Sequence, residues 1–275
     1  MKNKPKRKYS IGVFDSGFGG IQILRHIIKE LPEYNYVYLG DTARVPYGPK
    51  SPNTIIDYSI QNSRFLLQQG IKILVVACNT SSAYALDKIK ELTGIPIIGV
   101  IDPGAEQAAL YTKSKRIGII GTEATVRSGA YSQAITKLIP DAVVYSKACP
   151  LFVPIVEEGW QDGDITKSIA KLYLSYFEDK DIDTLVLGCT HYPLLKQTIQ
   201  ETVGEKIRLV DSADAIASYL KRLIPEETDG AKGTDSFFVS DNEAKFLQIS
   251  QNILESPIMS LKRVRLFESW FTDEI

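Results

Sequence analysis

The sequence predicts an α/β protein made of two pseudo-symmetric α/β domains with mostly parallel sheets and a site in the cleft between them. Three observations carry that prediction. Short apolar runs alternate with segments of helical periodicity throughout the 275 residues, the order that builds parallel sheets with covering helices. The run Leu185-Val186-Leu187-Gly188-Cys189-Thr190-His191-Tyr192-Pro193 repeats in weaker form Ile73-Leu74-Val75-Val76-Ala77-Cys78-Asn79-Thr80. Ile117-Gly118-Ile119-Ile120-Gly121-Thr122 repeats the pattern of Ile11-Gly12-Val13-Phe14-Asp15-Ser16 after 106 positions, close to the 111 positions between Cys78 and Cys189. Nearly equal offsets point to duplication of a βαβ-type unit, although any two α/β units share such short patterns.

The elements follow in order. Ile11 to Phe14 is a strand, Asp15 to Gly20 a tight turn, and Ile21 to Leu31 a helix whose Ile21, Leu24, Ile27, Ile28 and Leu31 share one face before Pro32 closes it. Val37 to Leu39 is a second strand, and Arg44-Val45-Pro46-Tyr47-Gly48-Pro49 is a loop, because its prolines and glycine exclude regular structure. A helix starts near Ser51-Pro52, with serine as cap, and ends at Gly70. After the strand that ends at Cys78 come a helix from Ser81 to Leu92 and a buried strand from Ile95 to Ile101, stopped by Asp102-Pro103-Gly104.

In the second half, Val143 to Tyr145 is a strand, Pro150 to Trp160 a turn and short helix carrying Glu157-Glu158, and Ile165 to Phe177 an amphipathic helix. Leu194 to Val203 is helical, Ile207 to Val210 a strand, and Ile224 to Ser236 a polar loop. Phe237 to Val239 and Val264 to Leu266 are late strands around a helix from Glu243 to Leu254. The expected boundaries are 1–98 plus 211–275 for a first domain, to which the C-terminal segment returns, and 99–210 for a second.

Composition excludes several classes. A net charge of -1 gives no basic field for nucleic acid, and the basic cluster Lys2, Lys4, Lys6, Arg7 and Lys8 reads as a solvated tail. The apolar run Ile11 to Phe14 stops at Asp15, so neither a signal peptide nor a membrane span is expected, and the protein is assigned to the cytoplasm. Three cysteines without a C-x-x-C pair and only two histidines argue against a metal site. An odd cysteine count in a reducing compartment argues against a structural disulfide.

The thiols therefore need another explanation. A lone buried cysteine is ordinarily a small hydrophobe, and Cys149, before Pro150, keeps that reading. Cys78 and Cys189 instead both follow a buried strand and precede a helical segment, where a helix amino terminus favours the thiolate. Strand carboxyl ends are where open α/β sheets bind ligands. His191, two residues after Cys189, is placed to influence that thiol. Asp15-Ser16 is an Asx turn or a carboxylate and hydroxyl facing the cleft. Asn79, Thr80, Thr122, Thr125 and Thr190 serve as helix caps or as a polar lining for carboxylates and an ammonium group. Gly17, Gly19 and Gly20 lack the spacing of a nucleotide-binding fingerprint.

The motifs I-G-V-F-D-S-G-x-G-G, L-G-D-T-A-R-V-P-Y-G, V-V-A-C-N-T, L-F-V-P-I-V-E-E-G and L-G-C-T-H-Y-P, in this order, resemble those of the glutamate racemases, a branch of the cofactor-independent aspartate/glutamate racemase family. The resemblance runs from Ile11 to the last helices. It implies a two-base racemisation in which one cysteine removes the α-proton as thiolate and the other, as thiol, protonates the opposite face. It further implies Cys78 and Cys189 as the acid/base pair, tuned by Asp15, Glu157 and His191, with Glu157 chosen over its neighbour Glu158. Substrate contacts are implied at Asp15, Ser16, Tyr47, Gly48, Asn79, Thr80, Thr122, Thr125, Thr190 and His191. No cofactor is implied. The small-molecule substrate would be L- or D-glutamate, with D-glutamate feeding peptidoglycan synthesis. The same resemblance leaves monomer and homodimer open.

Overall fold

A computed structural model of the chain describes residues 9–224 and 232–266. The basic tail from Lys2 to Lys8 and most of the loop expected over 224–236 lie outside the described residues. The first half runs β1 (Ser10–Asp15), α1 (Ile21–Glu30), β2 (Asn35–Gly40), α2 (Pro52–Gln68), β3 (Ile73–Val76), α3 (Asn79–Leu92), β4 (Ile97–Gly99) and α4 (Ile101–Tyr111). The second continues with β5 (Arg116–Gly121), α5 (Glu123–Ser128), α6 (Ala130–Leu138), β6 (Val143–Ala148), α7 (Phe152–Glu157), α8 (Asp164–Leu174), β7 (Thr184–Gly188), α9 (Lys196–Val203) and β8 (Arg208–Val210). The chain ends its described course with α10 (Ala213–Lys221), β9 (Asp235–Val239), α11 (Glu243–Leu254) and β10 (Leu261–Arg263).

The strands make two sheets, ordered β10-β9-β2-β1-β3-β4 and β6-β5-β7-β8, and every described pairing is parallel. The central strands β3 and β7 are buried along their whole length. Helices cover both faces of such strands, so side chains pointing either way are apolar. That is why I-L-V-V and T-L-V-L-G read as strands without alternation.

The C-terminal segment belongs to the first sheet. β9 pairs with β2, Tyr38 opposite Phe237, and Phe246 of α11, 1 % exposed, packs with Tyr38 and with Ile216 and Leu220 of α10 in the core around α1. Each such buried side chain contributes about 1.5–3 kcal/mol. The second sheet has its own core of Phe152, Val156, Leu187, Tyr192, Leu195 and Ile199. Among the described residues, no helix is long and apolar enough to cross a membrane.

Two elements depart from expectation. Asp102-Pro103-Gly104 does not stop a strand but sits in the first turn of α4, where proline loses no hydrogen bond and an acidic side chain favours the helix dipole. The last strand is Leu261–Arg263 rather than Val264 to Leu266. Val264 and Leu266 owe their apolar character to packing against the outer face of the sheet, whereas Lys262 and Arg263 are exposed on an edge strand, where charge is favoured.

Candidate active site

Both sheets deliver their central strands, carboxyl ends first, to one crevice. The first contributes Ser16 after β1, Tyr47 and Gly48 from the loop after β2, and Cys78, Asn79 and Thr80 after β3. The second contributes Thr122 after β5 and Cys189, Thr190 and His191 after β7. Val45, Pro46 and Val153 complete the lining. The sequence reading did not single these three out, although Val45 and Pro46 directly precede Tyr47 and Val153 lies one helical turn before Glu157 on α7. Asp15, Thr125 and Glu157 stand behind the lining rather than in it. The cavity is tight, about 20 Å³, room for about one water.

Polar contacts across the crevice join the two halves. The Thr80 hydroxyl shares hydrogen bonds with Thr122 Oγ1 at 2.9 Å and Thr125 Oγ1 at 3.2 Å. Tyr131 donates to Asn79 Oδ1 at 2.7 Å, and the Ala124 amide donates to the Gly48 carbonyl at 3.0 Å. Thr190 Oγ1 donates to Asp15 Oδ1 at 3.2 Å. Two glycines permit this approach: a Cβ on Gly19 would lie 2.5 Å from Thr190 Oγ1, and one on Gly48 would lie 2.7 Å from Thr122 Cβ.

The two thiols have unlike surroundings. Cys78 caps α3, and Asp15, fully buried, accepts a hydrogen bond from the Gly17 amide at 3.0 Å nearby. Burial, aided by the charge of Asp15, pushes the Cys78 thiol up to about 11, against hydrogen bonds from Ser81 and Ser16. Burial likewise raises the Asp15 carboxyl, while His191, the Gly17 and Gly20 amides and Thr190 draw it back.

Cys189 does not begin an α-helix. Thr190 and His191 intervene before a 3-10 turn at Tyr192–Leu195, and α9 starts only at Lys196, so the expectation of two thiols at equivalent helix starts holds for Cys78 alone. In place of a helix terminus, Cys189 Sγ lies 3.8 Å from His191 Nδ1. His191 Nε2 in turn lies 3.4 Å from Glu157 Oε1, and neither atom has a hydrogen-bond partner among the described residues. Burial works against a charged imidazole, but Cys189, Glu157 and Asp15 outweigh it and hold His191 up at about 10. Glu158 points away, toward Lys245 of α11 at 3.3 Å.

Cys149 is buried at the end of β6 and outside the cavity lining, and burial raises its thiol. No cluster of three or more histidine, cysteine, aspartate or glutamate side chains suited to a metal ion occurs among the described residues. The larger cavities, about 660 and 600 Å³, lie beside α8 and α9 and beside α1 and α11, without a thiol. Volume therefore does not mark the chemistry here. Convergence of strand ends does.

Comparison with known proteins finds racemases. A family model described as Asp/Glu/Hydantoin racemase matches residues 12–220. A glutamate racemase of Geobacter metallireducens is 48% identical over 265 residues, 94% of this chain and 97% of the relative. Among solved structures, glutamate racemase from Francisella tularensis in complex with D-glutamate matches with TM-score 0.89 and 38% identity, covering 96% of this chain and 99% of that one. An isoform from Bacillus anthracis matches with TM-score 0.91 and 37% identity, over 95% and 99%.

Proposed function

The chain belongs to the Asp/Glu/hydantoin racemase family, and on that premise we propose that it interconverts L- and D-glutamate by two-thiol proton transfer, in the cytoplasm, supplying D-glutamate for peptidoglycan synthesis. The observation that carries this reading is that Cys78 and Cys189, from different sheets, line one cavity. Racemisation moves a proton off one face of the α-carbon and onto the other, so a rigid site needs an acid/base group on each side. One cysteine takes the proton as thiolate while the other gives its own as thiol, and the pair exchanges roles for the opposite enantiomer.

His191 Nδ1 lies 3.8 Å from Cys189 Sγ and faces it with a charge, which Cys189 and Glu157 together sustain against burial. Asp15, with its proton-accepting oxygens tied to Gly17 and Thr190, orders the Cys78 side. Ser16, Asn79, Thr80, Thr122, Thr190 and the backbone of Tyr47-Gly48 offer the hydroxyl, amide and NH groups that suit two carboxylates and an ammonium. Thr125 reaches the cavity through its hydrogen bonds with Thr80 and Thr122. The division into 1–98 plus 211–275 and 99–210 is supported by sheet membership, since the first sheet holds β1 to β4 with β9 and β10. A cavity this tight admits an amino acid when the two halves part.

The test is the α-proton NMR signal of L-glutamate, and separately of D-glutamate, incubated with the protein in D2O without added cofactor. Loss of the signal with formation of the opposite enantiomer is expected from both. If both glutamates stay unchanged, the glutamate reading falls, and turnover of aspartate in the same assay would replace it with a sister activity.

A further inference from the structure

The hydroxyl of Tyr47 is committed away from the cavity. It donates to Asp41 and accepts from Asn62 Nδ2 at 3.1 Å, and its ring, 1 % exposed, packs with Ile55, Cys78 and Ala124. Only the rest of the residue, with Val45, Pro46 and Gly48, is left to face a ligand. The loop that carries them holds two prolines and has no strand or helix of its own from Asp41 to Ser51, so its shape rests on side chains.

Those side chains converge on Asp41, which is fully buried. Arg44 Nε donates to Asp41 Oδ2 at 2.6 Å, and Arg44 Nη2 to Asn62 Oδ1 at 3.1 Å. The Arg44 guanidinium also lies 4.0 Å above the ring of Tyr58 on α2. A carboxylate without solvent is costly unless its oxygens are filled by paired donors. The remaining donor comes from the neighbouring strand: Ser240 Oγ, directly after β9, donates to Asp41 Oδ1 at 2.9 Å and accepts from the Ala43 amide at 2.8 Å. The residue that completes the carboxylate is thus about two hundred positions away, in the returning C-terminal segment.

We propose that Asp41, Arg44 and Ser240 are positioning residues for substrate binding, and that the C-terminal segment, through Ser240, sets the Tyr47-Gly48 face of the cavity. None of the three touches the cavity. They act by fixing a loop whose Gly48 carbonyl accepts from Ala124 of the opposite half. Loosening the network lets that loop drift and weakens substrate capture, while both thiols and the His191 pair stay in place. The consequence falls on KM, not on proton transfer.

The proposal rests on the racemase reading, and its test separates the two. Steady-state glutamate racemisation is measured for the full chain and for Ser240→Ala, Asp41→Asn and Thr42→Val. Thr42 exchanges exposed hydrogen bonds with Asp241 on the same seam but outside the Asp41 network, so it is the control for simple loosening of the C-terminal segment. Ser240→Ala is expected to raise KM by about tenfold, the factor equal to about 1.4 kcal/mol, with kcat and its pH profile unchanged. Asp41→Asn raises KM further, and Thr42→Val leaves it unchanged. Because Asp41→Asn removes a buried charge and can fail to fold, Ser240→Ala decides. An unchanged KM for Ser240→Ala, a fall in kcat at constant KM, or an equal effect of Thr42→Val overturns the proposal. An unmodified protein that does not racemise glutamate overturns instead the reading beneath it.

Discussion

The Cys78 half and the Cys189 half of the site come from repeated sequence motifs, yet they solve the same problem with opposite charges. Beside Cys78 stands a buried carboxylate, Asp15, and the thiol is held up at about 11. Beside Cys189 stands an imidazole that Cys189 itself, Glu157 and Asp15 hold up at about 10. Symmetry of strands therefore does not impose symmetry of chemistry. After the first cysteine the chain turns directly into α3, whereas after the second a 3-10 turn displaces the helix and leaves room for a histidine.

The largest effect that would test this comparison is removal of either acid/base thiol. Cys78→Ser and Cys189→Ser should each lower racemisation by about 10⁴-fold, the upper end of what a positioned acid or base contributes, in both directions of reaction. A variant with substantial residual turnover would reduce the site to one working base.

Next in size, His191→Asn should cost about 10²-fold in kcat, since the charge facing Cys189 is lost, and with it the charge that draws the Asp15 carboxyl down on the Cys78 side. The same variant carries a stability signature. The folded-state pKa of His191 lies above its unfolded value of about 6.5. Its charge therefore adds stability that is full below that unfolded value and is lost as pH rises through about 10. The Tm gap between His191→Asn and the unmodified protein should narrow between pH 7 and pH 10.5 in thermal unfolding.

Glu157→Gln should lower kcat by about tenfold, equal to about 1.36 kcal/mol on the barrier, less than His191→Asn because the imidazole keeps its contact with Cys189. It should also move the alkaline limb of the pH–rate profile downward from about 10, read as the difference from the unmodified protein so that ionisation of the substrate cancels. Glu158→Gln should do neither. Equal effects of the two neighbours would undo the assignment of Glu157.

Smallest is the exposed pair Lys245–Glu158, which spans the two halves at 3.3 Å. Lys245→Ala should change stability by no more than about 1 kcal/mol in denaturant unfolding. A larger loss would mean that the surface, rather than the strand ends, ties the halves together.

Much of this architecture was legible in the sequence because parallel strands buried on both faces are continuous apolar runs, and their ends are marked by abrupt polar residues. Asp15-Ser16, Cys78-Asn79-Thr80 and Cys189-Thr190-His191 are recognisable as strand ends on that ground, and all but Asp15 line the cavity. What stayed hidden depends on packing between distant segments. The pattern of α4 was masked by Asp-Pro-Gly, which ends a strand and begins a helix equally well. Tyr47 lines the cavity, but nothing local in the sequence says that its hydroxyl turns to Asp41. The partnership of Asp41 with Ser240 joins residues with no periodicity in common, and the choice of Glu157 over Glu158 depends on the rotation of a six-residue helix.

The central claim, that the two thiols serve opposite faces of one α-carbon, is tested most directly by solvent deuterium exchange in the single-thiol variants. L-glutamate and D-glutamate are incubated separately in D2O with Cys78→Ser and with Cys189→Ser, and the α-proton signal and chirality of each are followed. Each variant should exchange the α-proton of one enantiomer without inverting it, and the enantiomer exchanged should be opposite in the two variants. Exchange of the same enantiomer by both, or inversion by either, would contradict a mirror-placed pair of thiols.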